Sequence, residues 1–145
     1  MAERTERSTL NRLIEVCHDG ERGFRYASNH VRSPAIKTLF LDIASQREHF
    51  GADILPHAQR LGGATESDGS FAGALHRGWM TIKDALGGHD DAAIVREAER
   101  GERIALAAYE EALDGIVPPT VRDLLEQQCA AVRQSHSRVH ALLVL

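Results

Sequence analysis

Apolar residues recur at alternating steps of three and four along most of this chain, a spacing that suits α-helices packed side by side. Leu10, Leu13, Cys17, Gly20, Phe24, Ala27 and Val31 form such a seam and predict a first helix over residues 9–31. Ser33 and Pro34 then supply an N-cap and a first helical residue. The second seam runs through Ile36, Phe40, Ile43, Phe50, Ile54 and Leu61 to Gly62-Gly63, with Pro56 expected to kink it. A shorter seam of Phe71, Leu75, Trp79, Ile82 and Leu86 predicts a helix over residues 70–86. Asp90 and Asp91 cap a third long helix carrying Val95, Ala98, Ala105, Tyr109 and Ala112. After Pro118-Pro119 comes the last, with Val121, Leu125, Val132, Val139 and Leu142. No useful stretch alternates with period two, so no strand is expected.

The connections are short, long and short. The long one spans about 27 residues, and a helix of about 17 residues covers roughly 25 Å, most of a bundle's height. That order predicts an all-α, ferritin-like four-helix bundle with one long crossover that contains an extra short helix. Simple up-down-up-down topology comes second, because it has no use for the crossover. All 145 residues form one domain in this reading, with residues 1–8 flexible. Aromatic residues are only 5% of the chain, which favours closely packed helices over a sheet.

Net charge of -4 and the lack of a basic run exclude a nucleic-acid binder. No apolar stretch approaches the roughly 18 residues that span a bilayer, and the charged first residues form no secretory leader. A soluble, cytoplasmic protein with no membrane partner is therefore expected. Cys17 and Cys129 match no metal spacing and read as reduced, packed thiols. Fingerprints for nucleophilic catalysis, phosphate loops and dinucleotides are missing, so an enzyme reading depends wholly on a metal.

The seams are broken by polar residues near the helix midpoints. Glu102 lies on the third long seam, seven residues from Val95 and from Tyr109. Arg47 lies on the second, Gln128 and Ser135 lie on the last with His136 beside them, and Glu21 flanks Gly20 on the first. Buried charges are costly unless paired or metal-bound. Gly20-Glu21-Arg22 is echoed by Gly101-Glu102-Arg103, and Gln46-Arg47-Glu48-His49 loosely by Arg133-Gln134-Ser135-His136.

Dimetal carboxylate bundles place one Glu on each of two helices and Glu-x-x-His on the other two. Here Gln46 and Arg133 stand where those carboxylates belong, so a full diiron centre is not expected. Two readings remain. Glu21, His49, Glu102 and His136 could together bind one iron or zinc ion. Alternatively, Glu21, Gln46, Arg47, Glu99 and Glu102 form a structural polar layer with no cofactor, Arg47 satisfying the carboxylates. His136 and His140, four residues apart, are a weaker metal pair.

Asp19-Gly20-Glu21 with Gly23-Phe24, Gln46-Arg47, Arg77-Gly78-Trp79-Met80 with Lys83, Glu99-Arg100-Gly101-Glu102, and Tyr109-Glu110-Glu111-Ala112-Leu113 occur in one order. In this the chain resembles the ferritin-like bacterial proteins called domain of unknown function 2383. The resemblance implies the bundle fold, and it implies a stress-related or iron-related role without a settled activity. The leading expectation is a non-enzymatic accessory or stress protein built around the polar layer. The rival is a metal-binding oxidoreductase or metal-storage protein using the four tentative ligands. Homo-oligomerisation through an outer helix face is expected, and no protein partner can be named.

Overall fold

A computed structural model describes residues 5–62, 90–115 and 117–144. The elements among them are four helices, α1 (Glu6–Ser28), α2 (Pro34–Arg60), α3 (Asp91–Asp114) and α4 (Pro119–Ala141). No strand occurs among the described residues. The predicted helix over residues 70–86, with Trp79, lies outside them.

Local chemistry sets the helix ends. α1 starts at Glu6, four residues before the first seam residue Leu10, because Thr5 and Ser8 cap each other. The Thr5 N–H donates to Ser8 Oγ at 2.9 Å and the Ser8 N–H to Thr5 Oγ1 at 3.0 Å. Two N–H groups that the helix leaves without carbonyl partners are thereby satisfied. Ser33 accepts from the Ile36 N–H at 3.3 Å and Pro34 is the first helical residue of α2. α2 stays helical through Pro56, which is exposed, and Gly62 beyond it adopts φ +81°, a left-handed conformation that glycine takes without a Cβ clash. Asp90 caps α3 by accepting from Ala92 and Ala93.

Asp91 reaches back from α3 to accept from the backbone N–H groups of Arg32 at 2.8 Å and Ser33 at 3.0 Å. These two bonds hold the start of α3 beside the start of α2, so the two helices run parallel. The end of α2 and the start of α3 therefore lie at opposite ends of the bundle, and residues 63–89 connect them. α1 packs most extensively on α2, and α3 on α4. α1 also flanks α3, and α2 meets α4, leaving α1–α4 and α2–α3 as the diagonals.

The apolar interior is divided in two. One half-core contains Leu10, Leu13, Val16, Ile54, Val121 and Leu125 at the end where α1 begins. The other contains Phe24, Phe40, Ile43, Ile94, Val95 and Val139 at the opposite end. Gly20, Arg47, Glu102 and Ser135, one from each helix, are all buried at the level between them.

Candidate functional site

Arg47 projects from α2 into this dividing level and is 1% exposed; Glu102 projects from α3 and is 0% exposed. Arg47 Nη2 donates to Glu102 Oε2 at 2.8 Å and to Ser135 Oγ at 2.9 Å. Nη1 and Glu102 Oε1 approach to 2.6 Å, off the line of a hydrogen bond, so that arm is a charge contact. Ser135 has one hydroxyl hydrogen. It donates to Glu102 Oε2 at 2.5 Å, and the Val132 carbonyl at 3.0 Å is its alternative acceptor. Arg47 Nε donates to Gln46 Oε1 at 3.1 Å.

Burial by itself disfavours the Arg47 charge, but the Glu102 carboxylate more than offsets this and holds the guanidinium above its ordinary pKa. α2 and α3 are diagonal partners, so the pair ties together two helices that do not touch through their backbones. Gly20 of α1 makes room for it. A Cβ there would lie 3.4 Å from both Arg47 Cγ and Nη1, so larger side chains would press on the guanidinium.

A second buried chain of contacts lies toward the Leu13 half-core. The Tyr109 hydroxyl donates to Gln128 Oε1 at 2.7 Å, and Gln128 Nε2 donates to the Phe50 carbonyl at 3.3 Å. With the tyrosine proton so placed, the Cys17 thiol, 3.2 Å from Tyr109 Oη, is the donor of that pair. Burial pushes the Cys17 thiol above its ordinary 9.0, and it pushes Tyr109 well above 10.0.

Both groups are neutral when protonated. The folded protein therefore keeps their protons at a pH where the unfolded chain has released them. Their contribution to stability is fully present below about pH 9, the thiol's ordinary value, and is lost as pH rises from there toward the folded values. Urea-melt midpoints from neutral pH upward should fall above that point, and a Cys17→Ala/Tyr109→Phe variant should show a shallower fall. Equal slopes in the two proteins would exclude this account.

The other expected site residues stand elsewhere. Glu21, one residue past the Gly20 seam position, is partly buried at the side of the helix and pairs with Arg25 at 3.0 Å; Arg25 also reaches Glu48 at 3.4 Å. His49 is two residues past Arg47, about 200° around the helix. It is exposed, with Nδ1 2.7 Å from the Ser45 carbonyl. His136 Nε2 lies 2.8 Å from Glu99 Oε2, which Arg103 Nε also contacts at 2.8 Å. The His136 and His140 rings lie 6.0 Å apart. Thus Arg47, Glu102 and Gln46 come together with Ser135, Glu99 joins His136, and Glu21 and His49 belong to neither group.

The four tentative ligands have separate partners: Glu21 meets Arg25, His49 the Ser45 carbonyl, Glu102 Arg47 and Ser135, and His136 Glu99. Both oxygens of Glu102 are engaged by Arg47 and Ser135, and the guanidinium already occupies the space between α2 and α3. Among the described residues no group of three or more His, Cys, Asp or Glu is placed to hold an ion. The central residues do not fit a dimetal centre.

A family model, that of the domain of unknown function DUF2383, matches residues 5–115. The chain belongs to this family. The DUF2383 match spans α1, α2 and α3 and so includes Gly20, Arg47 and Glu102; Ser135 and His136 lie beyond it on α4. No curated protein matches the chain. No described helix is long and apolar enough to cross a membrane.

Proposed function

We propose that this DUF2383 chain is a ferritin-like bundle of the bacterial cytoplasm acting as a non-enzymatic accessory or stress protein. Its ion-pair layer takes the level at which dimetal bundles hold their metals. The observation carrying this reading is the Arg47–Glu102 contact, with the two terminal guanidinium nitrogens facing the two oxygens of one carboxylate and Arg47 only 1% exposed. An internal cation that cannot leave removes the electrostatic reason for a metal to enter. The parallel course of α2 and α3, with residues 63–89 joining opposite ends, supports the ferritin-like comparison.

The test is elemental analysis of untagged protein purified from cells supplied with iron and zinc. Folded protein free of either metal is expected. Near-stoichiometric iron or zinc that disappears in Glu102→Gln would overturn the reading in favour of a metal-binding oxidoreductase or store.

A further inference from the structure

The outward face of α3 carries a second three-and-four spacing, opposite its buried seam. Arg96, Arg100 and Arg103 occupy its first half and Glu110, Glu111 and Asp114 its second; Arg100 is partly exposed and the other five are exposed. Between the two halves stands Ala107, also exposed and too small to hold a neighbour away. Positive charge thus fills one half of the stripe and negative charge the other.

We infer that this face of α3 binds the same face of a second copy of the chain, antiparallel, about a two-fold axis at Ala107. The numbering is symmetric about that residue. Arg103 and Glu111 each lie four residues from it, about 6 Å along the axis, and Arg100 and Asp114 each lie seven residues away, about 10.5 Å. A two-fold axis across the helices places Arg103 opposite the partner's Glu111 and Arg100 opposite the partner's Asp114, twice over. A two-fold axis parallel to the helices would set arginine on arginine and carboxylate on carboxylate. Charge pattern alone therefore selects one arrangement of the pair.

Intramolecular partners flank the stripe and offset part of its charge, so binding of a second copy exchanges or shares these contacts. Arg100 meets Glu97 at 2.9 Å, Arg103 meets Glu99 at 2.8 Å, Glu110 meets Arg133 at 3.1 Å and Glu111 meets Arg12 at 3.5 Å. The surface is separate from the Arg47–Glu102 layer and does not rest on the function proposed above.

Sedimentation of the full chain over a concentration series tests the inference. A dimer is expected at low ionic strength, weakened by about tenfold or more near 1 M salt, where the Debye length is about 3 Å. Arg100→Glu/Arg103→Glu leaves Arg96 as the one basic member of the stripe, and Glu111→Arg/Asp114→Arg leaves Glu110 as its one acidic member, so the four positions that face one another become all acidic or all basic. Each variant alone should be monomeric, and an equimolar mixture should form the heterodimer. Ala107→Glu, at an exposed position that leaves the core untouched, sets like charges together on the axis and should also abolish the dimer. A wild-type chain that stays monomeric, or a dimer indifferent to these changes, would overturn the inference.

Discussion

Replacing Arg47 by methionine should destabilise the protein by about 3–5 kcal/mol, because Glu102 would remain 0% exposed with its charge unpaired. The partner-deletion cost exceeds the net worth of the pair, since desolvating two ions offsets most of their attraction. The double variant Arg47→Met/Glu102→Leu removes both charges and fills similar volume. Its stability should lie within about 1 kcal/mol of the native chain, or above it. Ser135 would keep an acceptor in the Val132 carbonyl at 3.0 Å, and Gln46 is exposed enough to bond water. Urea unfolding of the two variants separates the possibilities. Equal destabilisation in both would mean that the pair contributes strongly on balance, contrary to this account.

Phe40→Ala should cost a similar amount, about 3–5 kcal/mol. Phe40 is 0% exposed and meets the Phe24 ring edge-on, with centroids 5.2 Å apart and planes at 69°. Ile43, Ile94, Ala98 and Val139 belong to the same half-core, which the charged level separates from the Leu13 half. That level restricts how far side chains can shift to fill the hole, so the cavity should persist. The urea midpoint should fall with an unchanged slope. A loss below about 1.5 kcal/mol would show that the half-core collapses into the space.

Much of this architecture is legible in the residue spacing. Every expected seam residue of α1 is buried, as are Val95, Ala98, Ala105, Tyr109 and Ala112 on α3. On α2, Phe50 and Ile36 are only partly covered and Leu61 is 36% exposed beyond the last turn. Arg47, Glu102, Gln128 and Ser135 stand out because a polar residue in an apolar seam must find a partner inside. Their pairing is less legible. One residue of displacement from a seam turns a side chain by about 100°, which carries Glu21 away from Arg47 and toward Arg25.

The contact between Cys17 and Tyr109 has no such signal, because both residues suit an apolar seam and only the fold sets the thiol 3.2 Å from the hydroxyl. Likewise, the Glu99–His136 contact depends on the relative height of α3 and α4, which no spacing within one helix encodes.

The parallel course of α2 and α3 divides the chain into two hairpins at the connection that joins them. The first hairpin, α1 with α2, carries Arg47; the second, α3 with α4, carries Glu102 and Ser135. Among the described residues, the ion pair of each central charge is with the other hairpin: Arg47 on the first meets Glu102 on the second. Expressed apart, each would have to expose that ion or desolvate it alone. Mixed together, the two fragments would re-form the Arg47–Glu102 pair. The ion pair thus makes the halves mutually obligate, a lock whose key is cut on the opposite fragment.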